Sequence, residues 1–453
     1  MILKLNDGYK DLLKNFTIPF FLKLTGTVCA FLLYQFISIH YGAEGVGVYS
    51  LFNVIISLFA ISCTLGMASS TIQFIPKFFS KFEYSNLRRL ALHHFIISGS
   101  LSIIISIIIF LNSEFLSVLF FQSNSNEKLI RIVAFFLPFY TMFLIGNHFI
   151  RGLYFIKLFE YFRSTHVQVF GLIILVLITT SCTSSCYANN WLKFIEPSDI
   201  SILISGVFFS LASILSWSVV FNFLFFVKHE YINVSENILT IKNTLSVSFP
   251  MLATAFSAII MDRIDSLMLA YFYSNTEVGL YNVANKLATL ILFLIIPLIS
   301  SVLTKISSSY WGEDKVKFNN LIDRTSKIMF WSSIIIFLGL VVFSEFLLGL
   351  FGDEFIKAKV TMIFLCTGFF FNAMHGLVEH IMNLSGCERK LSLVFLYALI
   401  INIILNYYLI PIYGIEGAAF ATMIGMMFWN ITAGIFCSKH IGKRVIYLPF
   451  TKA

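Results

Sequence analysis

Residues Ser246 to Tyr273 read SVSFPMLATAFSAIIMDRIDSLMLAYFY, one long apolar stretch that carries Asp262, Arg263 and Asp265 near its middle. A charge at bilayer depth costs at least a few kcal/mol, so a helix of this kind turns it towards protein or water rather than lipid. At 100° per residue Asp262 and Asp265 sit about 60° apart, on one helix face. The next apolar segment, near 278–303, carries Lys286. Asp265 lies shortly before its helix ends and Lys286 shortly after the next begins. The short turn makes the two helices antiparallel neighbours, so these charges are expected to meet at similar depth in a polar cavity.

Composition extends that reading to the whole chain. Of 453 residues, 58% are hydrophobic and only 12% charged, with a mean hydropathy of +0.87. A soluble domain of that length would have far too apolar a surface. An all-α, polytopic membrane protein is the expectation, its N-terminal segment retained rather than cleaved. The net charge of +8 reflects loops on one side of the membrane and gives no reason to invoke nucleic acid. The seven cysteines show no metal-ligand spacing; only Cys182 and Cys186 lie close enough for a disulfide, and ordinary small-residue packing is the reading preferred for them.

About twelve segments are long enough to span ~30 Å of hydrocarbon. They fall near 16–39, 46–70, 91–111, 129–150, 166–187, 200–227, 245–273, 278–303, 326–350, 360–384, 391–412 and 415–438. With Met1 inside, roughly 23 of the 31 Lys and Arg fall on the inner side and about five on the outer, as the positive-inside rule requires. Both termini are therefore expected in the cytoplasm. Lys23, Arg263 and Lys286 are the basic residues left within spans.

The chain also repeats itself. Val46-Gly47-Val48-Tyr49 recurs as Val278-Gly279-Leu280-Tyr281, Pro19 pairs with Pro250, and Gly152 and Lys157 pair with Gly386 and Lys390. An even number of spans separates the copies, so two halves of like orientation, 1–228 and 229–453, each a six-helix bundle, are expected about an axis along the membrane normal. Two parallel bundles are a transporter plan.

Two runs carry a family resemblance. One is Asp265-Ser266-Leu267-Met268-Leu269 followed by Thr276-Glu277-Val278-Gly279-Leu280-Tyr281-Asn282-Val283-Ala284-Asn285-Lys286-Leu287. The other runs from Asn406-Tyr407-Tyr408-Leu409-Ile410-Pro411 to Gly417-Ala418-Ala419-Phe420-Ala421-Thr422. In these the chain resembles the polysaccharide transporter family, the Wzx-type flippases of the multidrug/oligosaccharidyl-lipid/polysaccharide exporter superfamily. The resemblance implies a MATE-like fold in a bacterial inner membrane and an oligosaccharide repeat unit on undecaprenyl pyrophosphate as substrate. The repeat units would serve O-antigen or capsule assembly, with a polysaccharide polymerase and a chain-length regulator as partners. No cofactor and no catalytic chemistry are implied. The runner-up is a MATE-like cation-coupled antiporter of drugs or other small molecules, which shares the fold but favours acidic cavities.

Moving a sugar head through hydrocarbon strips hydrogen bonds at several kcal/mol each, so polar and cationic side chains within spans are the candidate substrate contacts. These are Lys23, Asp262, Arg263, Asp265, Asn282, Asn285 and Lys286. Arg offers a pyrophosphate bidentate contacts and Lys a point charge; the two asparagines suit sugar hydroxyls. Each has a structural alternative that the sequence leaves open: an ion pair for the helix-seven charges, snorkelling for Lys23, interhelical hydrogen bonds for the asparagines. His375, Glu379 and His380 lie at helical spacing in the tenth span and suit proton or ion coupling or a satisfied buried pair. No nucleophile–base constellation, metal cluster or phosphate-cradling glycine loop is found.

Overall fold

The computed structural model describes residues 2–80, 83–122, 124–166, 168–173, 197–227, 239–311, 315–443 and 445–447. Among these residues every element is helical. In chain order they are α1 (Ile2–Thr64), α2 (Met67–Ser80), α3 (Tyr84–Leu111), α4 (Ser113–Phe121), α5 (Glu127–Gly152) and α6 (Ile156–Glu160). A π-helical turn, Tyr161–His166, follows α6. Then come α7 (Pro197–Val227), α8 (Ile241–Phe272), α9 (Asn275–Ala288), α10 (Ile295–Trp311), α11 (Lys315–Val342), α12 (Ser344–Gly349), α13 (Lys359–Met374), α14 (Gly376–Leu384) and α15 (Glu388–Ile441).

Among the described residues, five helices are long and apolar enough to cross a membrane, or six if α13 and α14, joined through a 42° bend, make one span. Two of these are double. In α1 the backbone breaks at Gly42 (φ 64°) and in α15 at Gly414 (φ 56°), so each holds two expected spans joined by a glycine in the left-handed region that disfavours other residues. The expected fifth span, with Cys182 and Cys186, lies mostly outside the described residues.

Three expected spans are interrupted. The second stops at Leu65 and Gly66, both with positive φ, before α2. The eighth divides into α9, a 3-10 turn at Thr289–Leu292, and α10. The tenth breaks at His375, which closes α13 and precedes α14. Hydropathy is blind to such breaks, because the residues on either side stay apolar. The ninth ends earlier than expected: α11 stops at Val342 and the short α12 begins at Ser344. A matching Ser-Glu-Phe-Leu opens α4 at Ser113 and α12 at Ser344, a further repeat pair that the sequence reading passed over.

The chain forms two compact units. One comprises Met1–Ile37 with Val48–Ile259, the other Ser38–Gly47 with Ile260–Ala453. In the first, α5 packs on α2, α3 and α7 around Phe74, Ile75, Leu87, Phe149 and Trp217, and the Trp217 indole N–H donates to the Met142 carbonyl at 2.8 Å. In the second, α13 packs on α9, α11 and α15 around Met362, Leu365, Val378 and Ile381, all buried. The outer faces are as apolar as the cores. On α3, Ile103, Ile104, Ile107, Ile108 and Leu111 are exposed; on α11, Ile335, Leu338 and Val342 are. Aliphatic faces of this size suit lipid, not water.

Within the second unit the repeated glycine motifs meet. A methyl group on Gly47 would run into the backbone oxygen of Asn275, and one on Gly279 into the backbone oxygen of Ala43. Asn275 stands to Ala43 as Gly279 stands to Gly47, so the two contacts are the same contact made twice. The repeat that marks the sequence thus survives as a two-fold close approach of backbones that only glycine permits.

Candidate functional site

The site is built on the part of α8 from Ile260 onward, on α9 and on the two arms of α15, all of which belong to the second unit. Asp265 on α8 is buried, 3% exposed. Its Oδ1 accepts from Asn406 Nδ2 at 2.6 Å and from Asn402 Nδ2 at 3.3 Å. Its Oδ2 accepts from the Tyr281 hydroxyl at 2.8 Å and the Thr422 hydroxyl at 2.5 Å. Asn406 also donates to Asn402 Oδ1 at 3.1 Å. Asn402 and Asn406 stand one turn apart on the first arm of α15, and Thr422 projects from the second arm, beyond the break at Gly414. Tyr281 belongs to the repeated glycine motif, so the backbone approach at Gly279 and the carboxylate node share one helix. The described residues place no cation against Asp265, and Asn406 Oδ1 is buried without a partner. A lone carboxylate among neutral donors is a group whose charge changes only when a proton or small cation enters.

Asp262 and Asp265 do not share a face as expected. The Asp262 side chain is 65% exposed and pairs with its neighbour Arg263, Nε to Oδ2 at 3.0 Å. Sixty degrees of rotation separates the protein-facing side of α8 from its open side. Lys286 follows Tyr281 by five residues, about 140° around the helix. That turns it to Arg263 and Asp262, within whose electrostatic reach it lies. Asp265 and Lys286 therefore belong to different clusters, although the helices carrying them are neighbours.

Asn282 is buried and donates to Ser266 Oγ at 3.0 Å and to the Val278 carbonyl at 2.9 Å, tying α9 to α8. Asn285 is half-buried. Lys23 is half-buried on α1, in the first unit. In the tenth span His375 is buried with Nδ1 2.8 Å from the Phe371 carbonyl. It occupies the break between α13 and α14, so its spacing to Glu379 is not that of one continuous helix. Glu379 and His380 are half-buried on α14.

Tyr281, Asn402, Asn406 and Thr422 were not singled out by the sequence reading, although three of them fall in the runs that carry the family resemblance. The available signal was Asn402-x-x-x-Asn406, two amides one turn apart inside an apolar span, where polar side chains are costly without a partner.

A family model described as polysaccharide biosynthesis protein matches residues 12–311, and one described as MatE matches 250–408. A probable low-salt glycan biosynthesis flippase of Haloferax volcanii is 22% identical over 187 residues, covering 40% of this chain and 39% of the relative. The chain thus spans well under half the length of that relative. Among solved structures, the lipid II flippase MurJ in an inward closed conformation superposes with a TM-score of 0.68 at 18% identity, covering 94% of this chain and 87% of that one. An inward-facing multidrug resistance MATE transporter of the MOP superfamily gives 0.65 at 14% identity, covering 95% and 98%. At such identities the likeness shows the fold, a MOP-type arrangement of apolar helices in a multi-pass membrane protein. With two thirds of its length matched by the family model, the chain belongs to the polysaccharide biosynthesis protein family.

Proposed function

We propose that this protein is a flippase for a lipid-linked oligosaccharide. In its finer form the reading takes undecaprenyl pyrophosphate as the carrier, a bacterial inner membrane as the site, and O-antigen or capsule assembly as the pathway. A polymerase and a chain-length regulator would act on the product. Twelve spans, both termini inside and halves at 1–228 and 229–453 belong to the same proposal.

The observation that carries it is the family match over a chain whose apolar helices hold polar and charged groups at depth. A sugar head needs such groups along its route, because each hydrogen bond lost to hydrocarbon costs several kcal/mol. Arg263 and Lys286, in the second unit, supply cations for the pyrophosphate, Lys23 is a further cation in the first unit, and Asp262 and Asn285 supply polar contacts for the sugar. Asp265 is assigned a different task, coupling. Its ring of neutral donors reorganises whenever the carboxylate gains a proton or a cation, and that ring ties α8, α9 and both arms of α15 together. His375, Glu379 and His380 are a second coupling candidate, weaker because His375 engages backbone.

Deletion of the gene in its own organism, followed by analysis of surface glycan and lipid-linked intermediates, tests the reading. Loss of surface glycan with single lipid-linked repeats held on the cytoplasmic face is the expected result. Intact glycan with a new sensitivity to cationic drugs would transfer the protein to the antiporters.

A further inference from the structure

The first unit contains a cluster of cations that the Asp265 node does not involve. Lys23 on α1, Arg151 at the end of α5 and Arg163 in the π-helical turn lie within electrostatic reach of one another through Arg163. Both guanidinium groups stand over the buried ring of Phe159, at 5.2 and 5.6 Å from its centroid. His148 reaches the same ring at 6.3 Å and feels both arginines; its Nδ1 is buried without a hydrogen-bond partner.

The cluster is held in place by specific contacts. Thr165 donates to the Leu22 carbonyl at 2.9 Å. A methyl on Gly26 would strike the Ser164 backbone oxygen. These two contacts clamp the π-helical turn onto α1 on either side of Lys23. π-Helical turns are rare and concentrate at functional sites.

The charges do not balance. Among the described residues Glu160 is the one acid within reach of Lys23 and Arg151, and its Oε2 is engaged by Ser164 at 3.2 Å. Among the described residues none of the three cations forms an ion pair. Three cations against one carboxylate leave two positive charges in excess. Like charges held this close repel, and stacking on Phe159 offsets only about 1 kcal/mol each.

The second half of the chain lacks the cluster. The offsets of 231 to 234 residues that relate the repeat pairs place only residues from 254–257, 382–385 and 394–397 opposite Lys23, Arg151 and Arg163, and none of these is basic. The cations are therefore no requirement of the repeated fold. Arg151 and Arg163 are exposed, at the end of the unit that the Lys and Arg bias assigns to the inner face.

We propose that Lys23, Arg151 and Arg163 form a diphosphate-binding site that receives the head of the lipid-linked substrate from the inner side. The proposal rests on the flippase reading for the identity of its ligand. Two guanidinium forks match phosphoryl oxygens, and Lys23 adds a point charge. The excess of two charges equals that of a diphosphate diester. His148 Nδ1, in the tautomer that carries its proton there, supplies one more donor.

The test is binding of undecaprenyl diphosphate to purified protein in neutral-lipid nanodiscs, with undecaprenol, inorganic diphosphate and phosphatidylglycerol as competing probes. The double variant R151Q/R163Q is expected to lose at least about tenfold in affinity, the size of one lost charge-assisted hydrogen bond. R151K/R163K keeps the charge and should recover part of that loss, while K157Q, on the neighbouring exposed surface, should bind as wild type. Undecaprenol should not compete. Equal melting temperatures across the set show that each variant folds.

Undiminished binding by R151Q/R163Q overturns the site. So does displacement by phosphatidylglycerol as effective as by undecaprenyl diphosphate, which makes the cluster a membrane-headgroup contact. Neither result touches the flippase reading, which stands or falls on the glycan phenotype. Intact surface glycan in the deletion strain, with binding preserved, would instead leave the site and remove its assigned cargo.

Discussion

The two charged clusters are built on opposite principles. Asp265 is a single carboxyl group sealed in protein, with each oxygen engaged by two neutral donors from α9 and the two arms of α15. Lys23, Arg151 and Arg163 are three like charges at an open end, the two arginines resting on one aromatic ring and the turn beneath them clamped to α1. The first satisfies itself and so contributes to the fold; removing its centre strands everything around it. The second is unfavourable to itself and gains from what binds it. Under the proposed flippase reading the first is a node that changes state internally and the second a surface that recognises cargo.

This contrast predicts opposite signs for mutation. Asp265→Ala leaves Tyr281, Asn402, Asn406 and Thr422 without their acceptor, at about 1–3 kcal/mol for each donor that finds no other. It should give the largest drop in melting temperature in detergent and abolish glycan export; a stable, export-competent variant would reduce the node to packing. Next comes Gly47→Ala, which forces a methyl into the Asn275 backbone and should cost about 1–3 kcal/mol by overpacking. Gly279→Ala should do the same by the same route. If only one of the two is damaging, the two-fold reading of that contact fails.

R151Q/R163Q sharpens the comparison from the other side. It should leave the melting temperature unchanged or slightly raised, since it relieves repulsion. A rise of salt should likewise stabilise the wild type but not this variant, because exposed charges are screened and buried ones are not. Destabilisation comparable to Asp265→Ala would place the arginines among the structural contacts.

The smallest effect concerns Glu345, outside the spans. Lys359 donates to it at 2.8 Å, and that hydrogen bond and charge hold its carboxyl below the usual range. A carboxyl lowered on folding adds stability above its ordinary pKa and loses it as pH falls through the folded value. Glu345→Gln should therefore remove a small stabilisation at neutral pH and change nothing in acid, flattening the acid side of the stability profile slightly, because the pair is exposed.

Asp265 was legible because a carboxylate in an apolar run is conspicuous. Its partners were not, since Thr422 and Asn402 are unremarkable residues 157 and 137 positions away. Asp262 was grouped with Asp265 by helical phase, but phase alone does not say which side of α8 faces protein. Arg151 and Arg163 were counted as loop charges that set topology. Only the turn clamped by Thr165 and Gly26 brings them beside Lys23.

Composition, hydropathy and the repeat were enough to determine an all-helical membrane protein with internal symmetry, because burying twenty apolar residues in lipid is a local property of each segment. The glycine motif was likewise local, and its counterpart at a fixed offset was visible by inspection. Which charges are sealed and which are open was decided by tertiary structure. A hydrogen-bonded carboxylate and a repelling cation cluster differ only in what distant helices bring to them, and the breaks at Leu65, Thr289–Leu292 and His375, inside expected spans, leave no trace in hydropathy.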